Sequence, residues 1–343
     1  MPWVWNIFQL LRIIPDPTGS KYINRTALIG WLVLITTCTV VVLVEEFYCD
    51  GQLCTFPSNS YMITALLSDV LVPLQSMLVI KEIAALAEEG RDLKSILLFP
   101  ASPCLWLMTT ILHFASFQFL QYYIIRQYED KMTSIMFVVA IEILLVMHLL
   151  IMSAARAIIG VLVNRFYKNL DDCSATVSSE NIQITVTPII TEYKTLKELL
   201  KLMLFGIFTV DVILLTSNAY FVTKVSEYDF LPFTLYLACE LSYIAFVLDD
   251  CYSNLNTTLP KLRYLLRMDY TRKLLLRDIR SVADDCHKIN RRKVKSIIRS
   301  IEEATPFSAS GFFDVDRSTL TAIAGAVLTY LIILIQFDGE QVI

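Results

Sequence analysis

Long apolar runs dominate the chain and set its architecture. Seven stretches stay apolar over 18 to 24 residues: Ala27–Val44, Tyr61–Ile80, Cys104–Ile125, Met132–Ala155, Leu202–Thr223, Phe230–Leu248 and Thr319–Phe337. A helix needs about 20 such residues to cross a bilayer's hydrocarbon core. Barrel strands would alternate over about ten residues, which these runs do not. Backbone groups in lipid must be satisfied internally, so the pattern predicts an all-α bundle of seven membrane-spanning helices. Glu240 interrupts the sixth run, and Asp69 and Pro73 fall in the second. The apolar start, Met1 to Leu11, lacks a basic flank and a small-residue cleavage site, so it does not read as a signal peptide. Trp3, Trp5, Phe8 and Leu11 predict an interfacial helix or packing on the bundle, ended by Pro15 and Pro17.

Composition agrees. Of 343 residues, 55% are hydrophobic and 18% charged. This argues against a soluble enzyme and for an integral membrane protein. A net charge of −4 points away from nucleic acid as a partner. There is no Cys-x-x-Cys, His-x-x-x-His or Gly-rich phosphate loop, and no Ser-His-Asp arrangement is arguable, so the expectation is no enzyme, no metal and no cofactor.

Lysine and arginine orient the helices. The N-terminus and stretches 81–103, 156–201 and 249–318 share one side and hold 26 of the 29 basic residues. The opposite loops and the tail hold three. Positive charge stays inside, so the N-terminus is expected in the cytoplasm and the C-terminus outside. G-protein-coupled receptors have the inverse arrangement. No Asp/Glu-Arg-Tyr triplet ends the third run, and no Asn-Pro-x-x-Tyr lies in the seventh. No internal repeat suggests an inverted-repeat transporter.

Stretch 249–318 is basic, with Leu262, Leu265, Leu266, Leu274, Leu275, Ile279 and Val282 at helical spacing. It reads as cytoplasmic helix continuing the sixth run, or as a solvated basic loop drawn to anionic membrane lipid. Asp171–Pro188, rich in Ser and Thr, reads as a mobile loop. Cys49 and Cys54 share the first outer loop and are either disulfide-bonded or two free thiols. The glycosylation triplets at Asn24 and Asn256 fall on the cytoplasmic side and are expected to stay unmodified.

The last run carries a recognisable ending: Thr329-Tyr330, five apolar residues, then Gln336-Phe337. It follows the lead-in Gly311-Phe312-Phe313-Asp314-Val315-Asp316-Arg317-Ser318. Together these resemble the signature of the insect gustatory receptor family, related to the insect odorant receptors. The close resemblance covers about the last thirty residues, and the seven-span, N-inside plan extends it along the chain. It implies a plasma-membrane taste receptor of sensory-neuron dendrites: a ligand-gated, non-selective cation channel that assembles as a homo- or hetero-tetramer and responds to a small-molecule tastant. Residues 1–343 would form a single chemoreceptor domain, with segments 1 to 6 (27–248) holding an outward-facing ligand pocket. Residues 249–318 would belong to a cytoplasmic anchor between subunits, and 319–337 would line the pore.

The residues make physical sense of such a pore. Thr329, Ile332, Ile333 and Gln336 share one helical face, while Tyr330 and Phe337 pack on a neighbouring one. Isoleucine rings can gate by dewetting, and a glutamine ring can help a hydrated ion pass. Read without the motif, Gln336 is better explained as a hydrogen-bonding group to a neighbouring helix. The outer loops and tail carry nine acidic residues against three basic ones, with Asp338 and Glu340 just beyond the motif. That charge would concentrate cations, or would be an ordinary acidic exterior.

Ionisable groups within spans are functional candidates by default: Asp69, His113, Glu142, His148, Asp211 and Glu240. With nearby aromatic and amide groups they give the ligand-pocket candidates: Tyr61, Asp69, Gln118, Gln121, Tyr122, Phe137, Glu142, Asp211, Asn218, Phe233, Tyr236 and Glu240. The bland alternative is that each carboxylate pairs with a neighbouring helix and only stabilises the bundle. Two rival functions remain at this stage: a metabotropic receptor docking a partner through 249–318, and a transporter.

Overall fold

A computed structural model describes residues 8, 10, 11, 13, 21–49, 52–53, 59–88, 103–128, 135–176, 182–224, 231–277, 299 and 304–339. Seven long helices run through these residues. They are α1 (Lys21–Phe47), α2 (Asn59–Glu88), α3 (Pro103–Tyr128), α4 (Ile135–Thr176), α5 (Ile182–Lys224), α6 (Leu231–Arg277) and α7 (Arg317–Gly339). Each predicted span falls within one of them, apart from terminal residues 132–134 and 230, which lie outside the described set. Apolar stretches able to span a membrane are Tyr22–Val44, Val139–Asp172, Thr187–Tyr220 and Leu231–Thr258, with shorter ones at Pro103–Ser116 and Arg317–Ile333.

α4 is the axis of the bundle. It packs on α1, α2, α3, α5 and α6, and every residue from Ile151 to Val163 is buried. Small residues on it (Ala154, Ala155, Ala157, Gly160) let neighbours approach closely, as apolar driving force is weak between helices in lipid. Gly206 does the same for α5 against α2, where a Cβ would meet Leu78 Cδ2 at 2.7 Å. Hydroxyls in the spans are satisfied within their own helices: Thr36, Thr39, Thr109, Thr216 and Ser242 each donate to the carbonyl four residues back. At the N-terminus, Phe8 and Ile13 are buried and Trp31 Nε1 donates to the Leu11 carbonyl at 3.0 Å, so this segment packs on the bundle.

Two expectations need correcting. α4 does not end at Ala155 but runs on to Thr176, and α5 begins at Ile182, with Pro188 inside it. Much of the loop expected over Asp171–Pro188 is therefore helix, and residues 177–181 lie outside the described set. Packing explains this. Ile189, Ile190, Tyr193 and Leu196 form a buried stripe on α5, and Phe166 and Leu170 on α4 belong to the same core. α6 does continue beyond the sixth span as expected, to Arg277, while most of 278–303 lies outside the described residues.

The lead-in to α7 forms an unexpected hairpin. β3 (Ser308–Ala309) pairs antiparallel with β4 (Phe313–Asp314), with Ala309 opposite Phe313. Ser310 (φ 52°) and Gly311 (φ 81°) take left-handed backbone at the turn, which Gly311 does without a steric cost. A second small hairpin follows α1, with β1 (Tyr48–Cys49) opposite β2 (Gln52–Leu53). Cys54 lies outside the described residues, so the suggested Cys49–Cys54 pair does too.

Asp316 caps α7. Its Oδ1 accepts from the Thr319 backbone N–H at 2.8 Å and from the Ser318 hydroxyl at 2.6 Å. Partial burial pushes the Asp316 carboxyl up, but the hydrogen bonds from Ser318 and Thr319 outweigh it and hold the carboxyl below its ordinary 3.8. The cap's contribution is thus complete above that ordinary value and fades as pH falls through the lower folded value. Asp316→Ala is expected to cost about 1 kcal/mol. Hydrogen exchange should report it as faster exchange confined to the first turn of α7.

Candidate functional site

The middle of the bundle holds a cluster of polar side chains from five helices. Arg156 on α4 and Glu240 on α6 are both 0% exposed, with Nη1 2.8 Å from Oε1. This is a charge contact rather than an aligned hydrogen bond. Arg156 Nη2 donates to Ser153 Oγ at 3.0 Å, and Nη1 lies 3.4 Å from the Tyr236 hydroxyl. Tyr236 stacks on His113 of α3, with centroids 3.8 Å apart, and His113 meets His148 of α4 edge-on at 5.5 Å. Ser76 Oγ on α2 lies 3.0 Å from the Val72 carbonyl and 3.1 Å from His148 Nδ1.

On the α2–α5 side, Gln75 Nε2 donates to Asp211 Oδ1 at 2.6 Å. Several buried atoms have no partner: Gln75 Oε1, Asp211 Oδ2, Glu240 Oε2, His113 Nδ1 and Arg156 Nε. A cluster so polar and so incompletely bonded is costly in a membrane, which makes it the candidate functional site.

The predicted site residues divide. Asp211, Tyr236 and Glu240 come together in this cluster, and Phe233 packs beside Tyr236 at 5.8 Å. Asn218 is buried and donates to the Leu214 carbonyl of its own helix at 2.7 Å. Glu142 is half-buried, and Gln118 is exposed on the outside of α3. The side chains of Tyr61, Asp69, Gln121, Tyr122, Phe137, Phe337 and Asp338 lie outside the described set, as does Glu340.

Sequence reasoning missed Arg156 and Gln75. Arg156 reads locally as the first residue of an inner loop, yet Ala157–Val163 continues the apolar run past it. That continuation was the available signal. Removing Arg156 from the inner tally leaves the charge bias intact.

α7 is placed differently. It packs on α5 and α6, and among its described side chains the buried or half-buried ones are Thr319, Leu320, Ile323, Val327 and Leu331. At about 100° per residue, Thr329, Ile332, Ile333 and Gln336 lie on the opposite side of the helix. All four are exposed, Ile332 by 56%. Tyr330, on the flank, is 60% exposed. The base of α7 is tied down: Arg317 Nε lies 2.9 Å from Asp249 on α6, its Nη2 meets Asp250, and its guanidinium sits 4.9 Å above the Phe246 ring.

Known proteins share this fold. The insect olfactory receptor OR5 of Machilis hrabei superposes with a TM-score of 0.63 in its eugenol complex and 0.62 without eugenol. These alignments cover 98% of both chains at 15% and 16% identity, so they speak to the fold. Among Drosophila melanogaster proteins, gustatory receptor for bitter taste 66a is 27% identical over 155 residues, spanning 42% of this chain and 27% of that receptor's length. Gustatory receptor 68a is 54% identical over 43 residues, 12% of this chain and 11% of its own length. Residues 17–341 match the 7tm Chemosensory receptor family. The fold and this match point to a receptor, and the multi-pass chain belongs to the seven-transmembrane chemosensory receptor family.

Proposed function

We propose that the chain is one subunit of a tetrameric, ligand-gated cation channel in the plasma membrane of a sensory neuron. In this reading the N-terminus is cytoplasmic, the C-terminus is outside, and four copies of α7 surround the pore. The observation that carries it is the geometry of α7. The face away from the bundle joins Ile332 and Ile333 to Thr329 and Gln336. Thr329 is satisfied by the Gly325 carbonyl at 2.8 Å, but Gln336 is exposed. An exposed amide within lipid is unfavourable, whereas the same amide around a water-filled pore is hydrated. The acidic residues Asp338 and Glu340 would then concentrate cations at the outer mouth.

The ligand, by the same reading, is a small amphipathic organic molecule. It meets the aromatic and polar groups of α6 and α5 around Phe233, Tyr236, Glu240 and Asp211. It opens the pore by binding the open arrangement more tightly than the closed one.

Gln336→Ala is the test. In patch-clamp recording it should change conductance, ion preference or open probability severalfold, while half-maximal ligand concentration moves little. If all three pore properties match wild type, α7 does not line the conduction path through this face.

A further inference from the structure

The centre of the bundle carries more acid than base. Among the described buried side chains, Arg156 supplies the one guanidinium, against the carboxyls of Glu240 and Asp211. Arg156 is engaged with Glu240 at 2.8 Å. With both carboxyls ionised and both imidazoles neutral, Asp211 is an uncompensated negative charge in the middle of an apolar bundle, which is expensive.

The hydrogen bonds show where a compensating charge fits. Gln75 Nε2 donates to Asp211 Oδ1, while Gln75 Oε1 and Asp211 Oδ2 are both buried without a partner. These two orphans are the remaining atoms of one amide–carboxyl pair. An amide and a carboxylic acid face each other through two bonds, N–H to one oxygen and O–H to the other. With a carboxylate, the second position holds two acceptors and no hydrogen. One proton on Oδ2 provides the missing donor, satisfies both orphans and removes the excess charge.

We infer that Asp211 and Gln75 form a proton-binding site at the α2–α5 contact, with one proton held on Asp211 Oδ2 and donated to Gln75 Oε1. The surroundings agree. α4 presents Arg156 and His148, α6 presents Glu240 and Tyr236, α3 presents His113, and α2 presents Gln75 and Ser76. β3, which also packs on α5, has no titratable side chain, and α7 offers Tyr330 alone between Arg317 and Asp338. Glu240 has the guanidinium, so the proton belongs to Asp211. α5 also carries the α7 hairpin, so the site lies on a helix that positions α7.

Infrared difference spectroscopy on the purified full chain in lipid nanodiscs tests this directly. At neutral pH the wild type should show a protonated-carboxyl C=O stretch. Asp211→Asn should remove it, and Gln75→Leu should shift it to higher frequency by taking away its acceptor. Thermal melts give a second readout. Asn keeps the shape and offers an N–H to Gln75, so Asp211→Asn should melt near wild type at neutral pH. It should also lose the decline in stability that wild type shows as pH rises above the ordinary carboxyl range.

A band that survives Asp211→Asn overturns the proposal. So does the absence of the band from wild type, and stabilisation by sodium that requires Asp211 would then assign a metal ion to the site. Should Asp211→Asn fail to fold, the Gln75→Leu shift decides alone, and an unshifted band refutes the pairing. No readout uses ion current, so this site and the channel reading stand or fall separately.

Discussion

Arg156→Met is expected to destabilise the folded bundle by about 3–5 kcal/mol, because it strands a buried carboxylate. In thermal unfolding of the detergent-solubilised chain this is a large fraction of typical domain stability, and most of the protein should be lost on extraction. The cause is Glu240. Both side chains are 0% exposed and face each other at 2.8 Å. Truncating the guanidinium also removes the contacts to Ser153 and Tyr236. The companion variant separates charge from packing. Arg156→Met with Glu240→Leu replaces the pair by apolar groups of similar volume, which in other buried pairs has proved neutral or stabilising. The double variant should therefore recover much of the wild-type melting temperature. If the single variant melts like wild type, the pair does not hold the bundle. If the double variant is as poor as the single, shape rather than charge explains the loss.

The helices were legible because each span must be apolar over its whole length. Their true lengths were less so. An arginine reads locally as the edge of a membrane, and Ser/Thr-rich Asp171–Pro188 reads locally as a loop. The burial of Ile189, Tyr193 and Leu196 is decided by packing with other helices, which no local window contains. The β3–β4 hairpin was invisible because two-residue strands are too short to alternate. At the site, the cost of charge in lipid was enough to single out Asp211 and Glu240. Their partners were not, since Gln75 does not ionise and Arg156 seemed to lie outside. Helical periodicity tells which residues share a face, not which face each one meets.

The motif before α7 also acquires a physical meaning, and with it a further expected result. Phe307→Ala should cost about 3–5 kcal/mol, as for other fully buried aromatic rings, and the loss should be local. Phe307 is 0% exposed and meets Tyr193 of α5 edge-on at 5.3 Å. Its carbonyl accepts from the Val315 N–H at 2.7 Å, closing the base of the hairpin. Beside it, the Tyr193 hydroxyl donates to the Thr305 carbonyl at 2.9 Å. Once the ring is gone, what ties the foot of α7 to α6 is mainly Arg317. Its exposed ion pairs with Asp249 and Asp250 are worth about 0–1 kcal/mol each. Its contact with the Phe246 ring adds about 0.5–1 kcal/mol. These do not match the lost burial, and on α5 the ring contacts of Phe312 with Phe205 and of Phe313 with Phe208 remain, so residues 304–316 and the first turns of α7 should loosen against α5. Hydrogen exchange is the measurement: protection should fall in that segment while α1 to α6 stay protected. On the channel reading, ligand binding to the bundle should survive and its effect on current should be weakened, because the hairpin joins α5 to α7. If protection falls evenly through all seven helices, the hairpin is part of the bundle's own stability rather than the joint between the bundle and α7.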